Sequence, residues 1–116
     1  MFKVFQIRPS NSVVEAVNSI GHSAAAKAHP IWEAKLGTMH GSEGYKSQYS
    51  EHYEHVCDIE AEDLNDVFHI GNMGPEEKIN RFAPMHSISV GDIVVDELGV
   101  SHMVDPIGFS TVEFSQ

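Results

Sequence analysis

Hydrophobic and polar positions alternate at the start of the chain. In FKVFQIR, Phe2 to Arg8, one side carries Phe2, Val4 and Gln6 and the other carries Lys3, Phe5 and Ile7. That period of two predicts a strand partly buried on both faces. The period then changes. Val13, Val14, Val17 and Ile20 recur at helical spacing, Ser12 and Glu15 fit a capping box, and Gly21 supplies a stop. The alanines of HSAAAKAHPIWEAKLG favour a second helix, which Pro30 breaks or restarts. Ile31, Trp32 and Leu36 are its expected core residues.

Gly37 to Ser50 lacks either period and is rich in Gly, Ser and Tyr. It reads as a long loop, and long loops in small domains often bind partners. Alternation resumes in Glu51 to Ala61. It predicts a strand with Tyr53, His55, Cys57 and Ile59 on one face and Glu54, Val56, Asp58 and Glu60 on the other. Leu64, Val67 and Phe68 then fall in helical register, with Glu62, Asp63 and Asp66 in the first turns and Gly71 or Asn72 as the stop. GPEEKINRF suggests a further short helix opened by Pro75.

The last third is β-like. Strands are expected near Ile93–Val95, Val100–Asp105 and Thr111–Phe114, joined by turns at Asp96–Gly99 and Pro106–Gly108. The expected fold is α+β. A small antiparallel sheet, made from the N-terminal strand and the C-terminal strands, packs with three to four helices. Length makes residues 1–116 a single domain. Residues 1–60 form a strand-helix part that includes loop 37–50, and residues 61–116 form a helix plus a C-terminal β module.

Charge narrows the functional classes. Seventeen acids against seven Lys and Arg give a net charge of −10. Direct nucleic-acid binding, which needs phosphates neutralised, is disfavoured. No Lys or Arg lies between Lys46 and Lys78, an interval that holds Glu51, Glu54, Asp58, Glu60, Glu62, Asp63, Asp66, Glu76 and Glu77. Such a run is either a solvated face or a surface for a basic partner. With Tyr45 and Tyr49 of the preceding loop, its first seven acids form the expected contact surface. No apolar run is long enough for a membrane span, and MFKVFQIRPS is too alternating for a secretory leader. A cytoplasmic protein is expected.

Candidate chemistry is sparse. The single cysteine, Cys57, excludes an internal disulfide and Cys-rich zinc sites. Its acidic surroundings disfavour a thiolate, so a buried structural thiol is expected. His52 and His55 are metal-ligand candidates only if they share a helical turn. On a strand they face opposite ways. Ser87, Ser89, His86 and Asp92 lie close in sequence, but no nucleophile elbow or phosphate-cradling loop accompanies them. No cofactor is called for. The simplest reading makes Ser87 and Ser89 local backbone binders, Gly91-Asp92 a turn, and Ile93 to Val95 a doubly buried strand.

That stretch also carries a resemblance. HSISVGDIVV, followed by a Gly turn, an extended segment and a closing Gly-Phe, resembles the C-terminal module of small proteins from tailed bacteriophages and mobile elements, with a YodL-like ending. Ser87, Ser89, Val90, Gly91, Asp92, Ile93 and Val94 match the opening; Gly108 and Phe109 match the close. DLNDVFHIGN, Asp63 to Asn72, is similar to the helix before that module, so the likeness spans Ala61 to Phe114. It implies no catalytic role. It implies an accessory protein in a bacterial host, of a kind that often inhibits or redirects host proteins. Together with the acidic segment, it makes a basic or nucleic-acid-binding host protein the expected partner, to be modulated or inhibited. DNA mimicry is one version. The competing expectations are a small enzyme or ligand-binding domain with a pocket around His52, His55 and His86, and an oligomer paired through apolar edges after Val95. The sequence leaves the oligomeric state open.

Overall fold

A computed structural model describes all 116 residues. It is an α+β fold around one antiparallel sheet. The elements run β1 (Phe2–Ile7), α1 (Asn11–Ile20), α2 (His22–Ala28), α3 (Pro30–Thr38), β2 (Tyr53–Ile59), α4 (Leu64–Met73), β3 (Ile79–Arg81), β4 (Ile93–Val95), β5 (Ser101–Val104) and β6 (Phe109–Thr111). Short 3-10 turns occupy Ser42–Gly44, Ser47–His52 and Glu76–Lys78. The strand order is β3-β2-β1-β4-β5-β6. The sheet therefore extends past the expected N- and C-terminal strands, because β2 and β3 complete it on the far side of β1. No helix is long and apolar enough to cross a membrane.

Several local expectations shift. The cap of α1 is Ser10, whose hydroxyl accepts from Val13 N–H, so the helix starts before the Ser12–Glu15 pair. Pro30 does restart the chain as a helix: it is at the first turn of α3, where its missing N–H costs nothing. Trp32 is only half-buried on α3 and belongs to neither core cluster. Helix α4 runs on through Gly71 and Asn72 to a stop at Gly74 and buries Val67 and Ile70, leaving Phe68 exposed. Gly71 is not a stop but a contact: a Cβ there would come within 2.2 Å of Ile88 Cδ1. GPEEKINRF forms one 3-10 turn and then β3, because the open edge of β2 offers hydrogen bonds to Ile79–Arg81. The last strand is Phe109–Thr111, earlier than Thr111–Phe114, set by pairing with His102–Val104. From Val95 on, β4 and β5 are interior strands and β6 is an open edge. The edges are β3 and β6, each three residues long.

Both faces of the sheet are covered. On one, Phe2, Val4, Cys57, Ile59, Val94 and Val104 pack with Val67 and Ile70 of α4 and with Ile88. On the other, Phe5, Ile7, Tyr53, Ile93 and Met103 pack with Ala34 of α3 and with Tyr49. The alternation in β1 matches this division. In β2 it breaks: Val4 pairs with Cys57 but Phe5 pairs with His55, leaving Val56 as the extra residue of a bulge. Tyr53 and His55 thus face α3 while Cys57 and Ile59 face α4, which corrects the single-face expectation.

Candidate functional site

The acids of Glu51 to Asp66 do not form one uniform face. Glu54 pairs with Arg8 at 2.7 Å. Asp58 meets His55 Nε2 at 2.7 Å, because the bulge turns both to the same side of β2. Asp63 caps α4 by accepting from Asp66 N–H, and Asp66 accepts in return from Glu62 N–H. These two carboxylates satisfy N–H groups that a helix start leaves free. Glu51 stands 3.4 Å from His52. The Glu60 and Glu62 carboxylates take part in no hydrogen bond or ion pair of the chain and point their charge to solvent.

The loop expected over Gly37 to Ser50 is built in, not free. Its first residues finish α3, and two 3-10 turns order the rest. Tyr49 is buried at 5% exposure and cannot serve as a contact residue at the surface. The Tyr45 hydroxyl donates to Glu113 O, tying the segment to the C-terminal end.

Around the start of α4 the acids converge with a second group. A groove of about 520 Å³ lies between Ala61–Leu64 and the β4–β5 hairpin, floored by Phe2 and lined by Asp96, Glu97, Leu98 and His102. The hairpin tip is held by Asp96. Its Oδ1 accepts from Leu98 and Val100 N–H, and its Oδ2 lies 2.9 Å from His102 Nε2. These hydrogen bonds, His102 foremost, hold its carboxyl below the usual aspartate range. The tip thereby presents Leu98 at 89% exposure directly after two acids, Asp96 and Glu97. Glu97 meets the α-amino group of Met1 at 2.6 Å. Sequence reading counted Glu62 and Asp63 among the contact residues and predicted the Asp96–Gly99 turn between the hairpin's two strands, but left the turn's residues out of the contact surface.

The Ser87–Asp92 motif builds something different. Asp92 is 2% exposed. Its Oδ2 accepts from Ser89 N–H at 2.9 Å and from Gln6 Nε2 at 3.0 Å, while Gln6 also grips the main chain of His86. Burial pushes the carboxyl up to about 6, against the lowering effect of the Ser89 N–H, the His86 charge, the Gln6 amide and the Lys35 charge. Ser89 Oγ donates to Ser87 O, as expected of a local backbone binder. Gly91 has φ +94°, and a Cβ there would sit 2.5 Å from Thr38 O. Only glycine allows both that turn and that approach. The Tyr53 hydroxyl donates to Gly91 O at 2.6 Å. Beside this turn lies a cavity of about 260 Å³, closed on the other side by α3. The close of the motif joins a turn to β6: Gly108 O accepts from Asp105 N–H, and Phe109 is the first residue of the strand.

The histidines do not assemble. His52 ends a 3-10 turn beside Glu51, His55 stacks on Phe5 and meets Asp58, and His86 Nδ1 pairs with Ser87 O. No three His, Cys, Asp or Glu side chains converge in a way that could hold a metal ion. Cys57 is buried, and desolvation pushes its thiol up to about 11. No protein-family model, curated protein or solved structure matches the chain. The likeness to phage and mobile-element proteins therefore rests on the residues quoted for it.

Proposed function

We propose that the protein works by binding, and that its contact surface is the acid-rimmed groove between the start of α4 and the β4–β5 hairpin. The partner is a basic protein segment with at least one apolar side chain. The observation that carries this reading is Leu98, a large apolar side chain left 89% exposed in a groove lined also by Glu62, Asp63, Asp96 and Glu97. An apolar anchor in an acidic rim favours a ligand of opposite charge: burial of the anchor gives affinity, and the rim gives steering and selectivity. The likeness of residues 61–114 to phage and mobile-element modules supports a bacterial host protein as the partner, with the role of an accessory modulator or inhibitor in the cytoplasm.

The test uses the whole chain and the Glu62→Lys, Glu97→Lys double variant. Neither carboxylate caps a helix or fills the core, so the variant keeps the fold. Affinity capture from a bacterial lysate with wild type is expected to yield a basic protein that the double variant loses. A set of captured proteins unchanged by the double reversal contradicts the groove as the contact surface. Leu98→Asp is the matching apolar control and is expected to weaken capture equally.

A further inference from the structure

The cavity beside the Ser87–Asp92 motif has unused chemistry. Asp92 spends Oδ2 on Gln6 and Ser89, and none of the chain's hydrogen bonds ends on Oδ1. Oδ1 is not sealed from solvent, since Trp32 Nε1 alone is a fully enclosed side-chain polar atom without a partner, so this oxygen is open to the cavity and free to accept from a donor there. Across the cavity stands Lys35 of α3. It is half-buried and forms none of the chain's ion pairs; its ammonium reaches only Ile7 O, at 3.4 Å. None of the chain's five lysines has a carboxylate partner, and Lys35 is the one that lines this cavity. Ile7, Met39 and Val90 supply the apolar wall between them.

We propose that this cavity binds a small zwitterion of the α-amino acid class with an apolar side chain. The ligand ammonium donates to Asp92 Oδ1, its carboxylate meets Lys35, and its side chain lies on Ile7, Met39 and Val90. The volume, about 260 Å³, suits a molecule of that size and falls just under the usual range for ligand pockets. The structural use of Oδ2 and the ligand use of Oδ1 do not compete. Binding here is independent of the peptide groove on the α4 side.

The site has a proton signature. The charged and polar groups facing Asp92 are Gln6 of β1, Lys35 of α3, Tyr53 of β2, and Ser89 and His86 of the loop before β4. A proton on Asp92 takes Oδ1, because Oδ2 is already accepting twice. Ligand ammonium and proton thus compete for one oxygen, and affinity rises as pH rises through about 6.

Calorimetric titration with L-leucine and L-methionine tests this. Wild type is expected to bind at millimolar or lower concentration and to release protons at pH 6, read as a heat that depends on the buffer. N-acetyl-L-leucine, which lacks the ammonium, and L-leucine methyl ester, which lacks the carboxylate, are each expected to bind about tenfold or more weakly. Asp92→Asn keeps an acceptor for Ser89 and Gln6 but turns an amide toward the ligand; it is expected to abolish both binding and proton release. Lys35→Gln is expected to weaken binding of the free amino acids and to leave the methyl ester unaffected, and it guards against a folding defect in the first variant. No binding of either amino acid to wild type overturns the proposal. So does equal binding of the acetylated and free forms.

Discussion

At the scale of single residues, Asp92 holds most of the chemistry. Its removal as Asp92→Ala leaves the Ser89 N–H and one N–H of the Gln6 amide unpaired, and is expected to cost about 1–3 kcal/mol in urea unfolding. Its ionisation sets a pH dependence whose sign differs from that of an ordinary surface aspartate. The folded carboxyl titrates near 6 and the unfolded one near 3.8, so between these values the unfolded chain gives up its proton first. Stability is fully present below about pH 4 and falls as pH rises through 6, by about 3 kcal/mol from this group. Asp92→Asn removes that slope. Comparing the two proteins by urea unfolding from pH 4 to pH 7 is expected to show a gap that widens in favour of the variant. A gap that is flat or narrows contradicts the burial argument. Cys57 gives a simpler expectation. With its thiol buried and raised to about 11, it should resist a thiol reagent in the native state and react once the chain unfolds.

At the scale of elements, legibility followed how much each element carries its own reason to form. The run Ile93 to Val95 and the Asp96–Gly99 turn are local signals, and both are where the sequence predicts them. Pro30 likewise announces α3. By contrast, β3 is three residues that hold their shape only through pairing with Cys57–Ile59, so no local pattern reveals it. The bulge at Val56 is equally silent, since one extra residue looks like unbroken alternation until its partner strand is known. The candidate sites divide in the same way. Gly91-Asp92 reads as a turn, but the burial of its carboxylate comes from Gln6, eighty-six residues away. Gly71 shows the same limit: it looks like a stop and is a contact. Gly71→Ala gains up to about 1 kcal/mol in helix propensity but drives a methyl into Ile88, an overpacking that costs about 1–3 kcal/mol. A lower midpoint in urea is therefore expected, and a higher one means that Ile88 has room to move. Asp63→Ala removes the α4 cap and is expected to cost about 1 kcal/mol by the same assay.

At the scale of the molecule, the helices distribute function as well as packing. The sheet separates α3 from α4, and the two candidate sites fall on opposite sides of it. The α3 side takes the small cavity of Asp92 and Lys35; the α4 side takes the groove around Leu98. The net charge of −10 acts on the second far more than on the first, since exposed carboxylates project their field to approaching partners and a buried one does not. Many acids of the middle segment are engaged in caps and pairs, and in the groove Asp63, Asp96 and Glu97 are engaged as well, so Glu62 is the groove's free carboxylate. The direct measurement is a nuclear magnetic resonance titration with a short peptide of alternating arginine and lysine around a central leucine, repeated at rising salt. The account predicts saturable shifts at Phe2, Leu64, Leu98 and His102. It also predicts affinity that falls steeply as the screening length drops from about 10 Å at 0.1 M salt to about 3 Å at 1 M. Shifts confined to other surfaces, or an affinity indifferent to salt, would contradict it.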